Sequence, residues 1–596
     1  MNEPRRETSI GDYAAIGDCR TLALVSRFGS IDWCCVPDFA SPSVFAALLD
    51  RERGGRFALT PRGIVTAVQR YLPHTNVLGT RIECETGVLE ITDFMTLPSS
   101  ADAPQQIVRI AACVAGRVDV DVVFEPRPDY SRGPVKLDGG AGRWTFAAPG
   151  LHCELRTSMA MRGDARSLAA ALQLHQGESH SSVFTIAPEQ TPFADGETTA
   201  GQKLDETLRA WQSWCSTCAY DGDHADAVMR SALALKLLTH QPTGALVAAG
   251  TTSIPESETG KRNWDYRFCW LRDSSLVFDA FTELGYESES GAFLKWLLHA
   301  TRETRPRLQV VYDVYGGSDL IERVLPELRG YQGIGPVLVG NSASEQQQND
   351  VYGEVIVTAS DWVRRGGRLD DAEKHLVATF AQMACKVWRE PDHGIWEVRT
   401  APRHNTHSKM MCWAALDRTL QIHQQQPLPI DAALMARERD AIRADIEAHG
   451  WNEAQRSYVG FYGSDAPDAS LLLMPRMGYI DARHPRMLAT TDCIQKELAV
   501  DGLLYRYPPG KKYDGLEGGE HLFAICSFWC VDCLARQGRI DEAERLYERL
   551  LALRTPAGLY AEEFDVKSRD PVGNFPQAFS HVGSITAALT LQRRKG

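Results

Sequence analysis

The 596-residue sequence predicts an α+β multidomain chain in which an N-terminal antiparallel β-sandwich precedes an (α/α)6 toroid. Three observations predict it. Apolar residues alternate or run in short segments of 4 to 8 positions up to about residue 200. After Asp221-Gly-Asp-His the apolar period changes to about 3.6. From there to the end, twelve helical candidates follow with no strand alternation between them.

The strands come first. Val108-Arg-Ile-Ala-Ala-Cys-Val, Val118-Asp-Val-Asp-Val-Val-Phe and Ser182-Val-Phe-Thr-Ile are punctuated by Gly, Pro and Asp, the pattern of a sandwich of short strands. A helix from about Asp205 to Cys218 then bridges to the second part. The expected units are therefore a β-sandwich over 1–203, a helical linker over 204–222 and a helical barrel over 223–596. The twelve helices are expected to begin near Ala225, Leu271, Glu287, Tyr352, Asp370, Ser408, Pro429, Pro467, His484, Gly518, Asp541 and Pro576. Twelve is the number needed for six antiparallel pairs closed into a ring. A βα barrel would require eight strands that the sequence does not offer.

Composition narrows the function. Apolar residues make up 44% and charged residues 24%, a globular balance that excludes disordered and collagenous chains. Sixty-four Lys and Arg against 77 Asp and Glu leave a net charge of −13, which repels polyanions, so nucleic acid is not an expected partner. No segment approaches the ~20 apolar residues of a membrane span, and no apolar leader precedes Ile10, so a cytoplasmic protein without a membrane partner is expected. Fifteen cysteines without a secretion signal fit reduced thiols. The pairs Cys215/Cys218 and Cys530/Cys533 read as core residues rather than a zinc site, and His404 and His407 lack the carboxylate pattern of a metal motif.

The loops between the helices carry the chemistry. Asn263-Trp-Asp-Tyr-Arg-Phe-Cys-Trp-Leu-Arg-Asp, Asp392-His-Gly-Ile-Trp-Glu-Val-Arg, Leu504-Tyr-Arg-Tyr-Pro and Leu559-Tyr-Ala-Glu-Glu-Phe-Asp concentrate Trp, Arg and carboxylates. Aromatic rings stack on sugar faces, and charged groups hold hydroxyls, so these clusters suggest a carbohydrate pocket. Glycosidic cleavage needs one carboxylic acid to protonate the leaving oxygen and a second carboxylate to activate water or attack the sugar. Glu397, beside Trp396, is a candidate for one, and Glu562 or Glu563 for the other. Arg272 and Asp273, following Trp264 and Trp270, could clamp hydroxyls or simply open a helix. No Walker A or G-x-S-x-G motif is present.

These motifs, with Ile16-Gly-Asp-Cys-Arg-Thr-Leu-Ala-Leu-Val, Gly29-Ser-Ile-Asp-Trp, Asp350-Val-Tyr-Gly-Glu, Thr406-His-Ser-Lys and Gly573-Asn-Phe-Pro-Gln-Ala-Phe-Ser-His, occur in one order along nearly the whole chain. Together they resemble glycoside hydrolase family fifteen, the glucoamylase-like enzymes, and in particular its bacterial members that include trehalases. The resemblance implies a sandwich joined to an (α/α)6 barrel, the six-hairpin glycosidase architecture, and inverting, exo-acting release of β-glucose from an α-glucoside. By motif position it implies Glu397 as general acid and Glu562 as general base, with Glu563 the alternative beside it. Arg272 and Asp273 would grip the terminal glucose, Arg506 would line the same pocket, and Trp264, Trp270 and Trp396 would form its walls. No metal or organic cofactor is implied, because acid–base pairing suffices. The expected partner is a small α-glucoside such as trehalose, with maltooligosaccharides and isomaltose open, as is self-association into a homo-oligomer. The competing readings are a non-catalytic glycan-binding or regulatory protein on the same toroid, and a disaccharide phosphorylase.

Overall fold

The computed structural model describes residues 8–100, 102–189, 191, 193, 198–509 and 513–595; the first seven residues of the expected sandwich unit lie outside them. Fifteen strands, from β1 (Tyr13–Gly17) to β15 (Ser179–Pro188), pair antiparallel into one connected sheet. The sheet folds over through its longest strand, β9 (Gln105–Glu125). Its first half pairs with β8 (Gly87–Met95) and β15, and its second half pairs with β5 (Arg56–Pro61) and β14 (Leu168–His175). Alternate residues of the two halves close on a core built around Phe45, Phe57, Phe124, Phe146 and Phe184.

Here the structure differs from the expectation of separate strands over 108–114 and 118–124. Gly116 sits at a bulge rather than a turn. Opposite β8, one extra residue, Val114, enters between the partners of Val88 and Leu89, and Gly116 takes a φ of +66°. A bulge bends a strand and increases its twist without ending it, which lets one strand serve both halves. Arg109 fastens the fold: its guanidinium binds Asp93 at 2.7 Å and donates to the carbonyls of Gly29 and Phe57, all buried.

Helix α1 (Ala200–Cys215), capped by Thr199, leads to the second part. There α2 (Ala225–Leu238), α3 (Leu271–Glu283), α4 (Glu287–Ala300), α5 (Val351–Arg364), α6 (Asp371–Val387), α7 (Thr406–Gln425), α8 (Ala432–His449), α9 (Pro485–Leu498), α10 (Ala524–Gln537), α11 (Ile540–Ala552) and α12 (Ala578–Lys595) alternate between an outer and an inner ring. The inner ring runs α3, α5, α7, a 3-10 turn at Ala469–Leu473, α10 and α12, and closes from α12 back to α3.

Helical character follows this placement. Inner α10 buries nearly every residue, whereas outer α11 buries only Ala543, Leu546, Tyr547 and Leu550, a single stripe. The expected helix near Pro467 is the short 3-10 turn: Asp468 caps it by accepting from the Ser470 amide, and Pro475 lies just beyond its end. The helix expected near Gly518 starts at Ala524, because Leu522–Phe523 is first drawn into a short strand pairing with Glu563–Phe564.

Candidate active site

Because outer and inner helices run antiparallel, every outer-to-inner connection lies at the same end of the ring. The loops from α2 to α3, α6 to α7, α9 to α10 and α11 to α12 surround a cavity at that end. Inner-helix N-termini point toward it, and their partial positive charge favours the carboxylates gathered there.

Trp264, Trp270, Arg272, Asp273, Trp396, Glu397, Arg506 and Glu562 all line this one cavity. Glu397 stands between α6 and α7 with a left-handed backbone, φ +54°, three residues after Gly394 at φ +68°. Its carboxylate is held from one side: the Trp270 indole donates to Oε1 at 2.6 Å, and the Arg272 guanidinium lies 3.5 Å from the same oxygen. Trp396 is fixed by donating to Asp468 at 2.9 Å. Arg272 and Asp273 occupy the first turn of α3 and are both buried. Burial pushes the Asp273 carboxyl up to about 6 against the pull of Arg272. Behind Arg272 lie Gln348, which accepts from it at 3.3 Å, and the buried Asp350 at 3.7 Å.

Glu562 enters from the α11–α12 loop, immediately before the short strand Glu563–Phe564. The following residue, Glu563, is not on the cavity wall. Successive residues point to opposite sides at a strand, so Glu563 turns behind the wall and pairs with Arg506 at 3.3 Å. Arg506 in turn binds Glu520 at 2.6 Å and lies over the Phe523 ring. Glu563, the alternative base that also counted as a candidate sugar contact beside Glu562, thus takes a supporting position under Arg506.

Sequence reasoning missed several wall residues. Glu256, Arg262 and Tyr266 come from the α2–α3 loop, Arg399 from the loop of Glu397, and Tyr507 and Asp514 from the α9–α10 loop. Arg262 pairs with Asp514 at 2.7 Å, and Arg399 stacks over Trp264 while donating to Ser342. The Tyr266 hydroxyl donates to Glu256 at 3.1 Å. Tyr266, Arg399 and Tyr507 lie inside the Trp-, Arg- and carboxylate-rich motifs; Glu256 carries no such signal.

An aromatic- and arginine-walled cavity that gathers carboxylates at one end of a helical toroid is a sugar-cleaving site in its chemistry. Comparison with known proteins carries this further. Residues 222–589 match Glycosyl hydrolases family 15, and residues 4–145 match the family described as Trehalase-like, N-terminal. The trehalase of Mycolicibacterium smegmatis is 37% identical, over 98% of this chain and 91% of that protein. The trehalase of Thermoplasma volcanium is 34% identical, over 97% and 93%. A crystal structure of a bacterial glucoamylase complexed with acarbose shares the fold, with a TM-score of 0.74 over 99% of this chain and 96% of that chain at 13% identity. The chain belongs to glycosyl hydrolase family 15, and it is a glycoside hydrolase.

Proposed function

We propose that the protein is a trehalose-hydrolysing, inverting α-glucosidase in which Glu397 is the general acid and Glu562 the general base. The observation that carries this reading is that two carboxylates more than 160 positions apart in sequence line the same cavity, between Trp and Arg side chains. Arg272 and Asp273 hold the hydroxyls of the glucose whose bond breaks, Trp264, Trp270 and Trp396 face its apolar surfaces, and Arg506 closes the wall beside Glu562. Glu397 protonates the glycosidic oxygen while Glu562 takes a proton from water attacking the opposite face of C1. The similarity to proteins named trehalase favours trehalose within the α-glucoside class. Fifteen cysteines, none in a disulfide, favour a reducing cytoplasm. No helix among the described residues is long and apolar enough to cross a membrane.

The test is a panel of trehalose, maltose, isomaltose and soluble dextrin with NMR detection of the anomer released first. Trehalose is expected to be cleaved fastest, giving equal amounts of β-glucose and the retained α-glucose; α-anomer alone overturns the inverting assignment, and inactivity on all four overturns the reading.

The rim offers a second check. Trp264, carrying Arg399 on its face, lines the cavity, and its contact with a sugar is taken as comparable to the ~0.5–1.5 kcal/mol of an aromatic pair. Trp264→Ala is expected to raise KM roughly 2- to 10-fold with a smaller change in kcat, read from initial rates.

A further inference from the structure

Glu256 is a buried carboxyl that the acid–base scheme leaves without a role. It comes from the α2–α3 loop, is 1% exposed, and stands beside the buried Glu562 on the wall of the same cavity. Two buried carboxyl groups side by side do not both ionise, and one of them keeps a proton that it can donate to the other. Among the described residues, no N–H or hydroxyl donates to Oε2 of Glu562. Gly573 passes close by both groups: a Cβ there would lie 3.4 Å from Glu562 Oε2 and 3.5 Å from Glu256 Cγ, so backbone holds the two side chains together on that side.

From the position of these groups we infer that Glu256 and Glu562 work as one base, a carboxyl–carboxylate pair that shares a single proton, with Glu256 as the positioning residue. The inference rests on Glu562 being the base. In the reaction the water oxygen bonds to C1 and its proton passes to Glu562. The proton already between the two carboxyls shifts to Glu256, and the C1–O bond breaks with its electron pair going to the leaving oxygen, which takes the proton of Glu397. The pair ends doubly protonated and Glu397 ionised; proton exchange with solvent resets both.

The surroundings are suited to a charge that moves between two residues. Glu256 accepts from the Tyr266 hydroxyl at 3.1 Å and lies 3.9 Å from Arg506. Arg262 and Glu520 also act on it, while Glu563 and Arg506 act on Glu562. Glu397 and Tyr266 complete the ring of titratable groups around the cavity. Burial, then the like charges of Glu256 and Glu563, pushes Glu562 well above the usual carboxylate range; burial raises Glu256 against the pull of Arg506. Both shifts favour retention of a proton by the pair near neutrality.

The test is the acid limb of the kcat/KM profile, measured on trehalose for the wild type, Glu256→Gln and Glu256→Leu, with thermal unfolding recorded for each. An O–H···O⁻ bond steadies the single negative charge better than an amide donor, and an apolar neighbour steadies it not at all. The limb is therefore expected to move to higher pH, slightly for Glu256→Gln and by about one unit or more for Glu256→Leu, toward the range of a buried carboxylate without a donor. If Glu256 is only an anionic neighbour, removing it moves the limb to lower pH; if it only packs, activity or stability changes and the limb stays. Either result overturns the inference, and if the leucine variant does not fold, the direction seen with glutamine decides alone. Glu562→Gln is measured alongside. Its loss of activity with an unmoved limb in the Glu256 variants rejects the shared proton only, whereas near-normal turnover of Glu562→Gln rejects the assignment of the base itself.

Discussion

Glu397→Gln is expected to lower kcat on trehalose by roughly 100-fold or more, in line with the 10²–10⁴ contributed by a positioned general acid. The amide keeps the size of the side chain and can still accept from the Trp270 indole, which now bonds to Oε1 at 2.6 Å. What is lost is the proton for the glycosidic oxygen. The far-ultraviolet circular dichroism and the unfolding midpoint are therefore expected to match the wild type, and KM to change little. A substrate with a leaving group that needs no protonation, such as an α-glucosyl fluoride, should recover much of the lost rate. Wild-type turnover of trehalose by the glutamine variant would remove Glu397 from the acid's role, and equal losses on both substrates would point to damage beyond the proton.

The second large effect lies on stability. Arg267 is buried between the two parts of the chain, in the segment that also carries Trp264, Tyr266 and Trp270. It binds Asp265 through two hydrogen bonds of 2.8 and 2.7 Å and donates to the carbonyls of Phe39 and Ser41 and to the Tyr130 hydroxyl at 2.7 Å, all three in the β domain. Arg267→Leu strands the Asp265 carboxylate in the interior. Breaking a buried pair in this way costs about 3–5 kcal/mol. Urea unfolding should show that loss, and kcat should fall with it, because the wall residues on the same segment lose their anchor. Arg267→Leu combined with Asp265→Leu should recover part of the stability, since no unpaired charge then remains; an unchanged midpoint in the single variant would contradict the account.

The features that were readable in the sequence share a physical cause. The helices of the toroid were visible because each must bury a stripe or a whole surface, and burial of that kind writes a period of 3.6 into the residues. The inner turn at Ala469–Leu473 imitated a helix for the same reason, since Asp468 supplies a cap and Ala-Ser-Leu-Leu-Leu an apolar run, although it stops after five residues. Glu397, Arg272 and Trp270 stood out because loops rich in Trp, Arg and carboxylates have no packing explanation. Glu256 did not stand out. Its partner Glu562 is about 300 positions away, and only the closing of the ring brings them together. The side to which Glu562 and Glu563 point depends on a short strand that Glu563–Phe564 forms with Leu522–Phe523, a pairing that no local pattern announces.

The seam between the β domain and the toroid bears on how the chain is made. Trp33 donates its indole N–H to the Gly250 carbonyl at 2.8 Å, and Tyr13, Ala15, Phe39, Val77 and Phe94 belong to the same continuous apolar core as the helices. During synthesis the strands leave the ribosome first and must wait, with that greasy face uncovered, until several hundred more residues have emerged to cover it. A fragment ending near residue 222 should therefore aggregate when expressed alone, and the yield of the whole protein should respond to how quickly the remainder is translated or to a chaperone that shields the waiting surface.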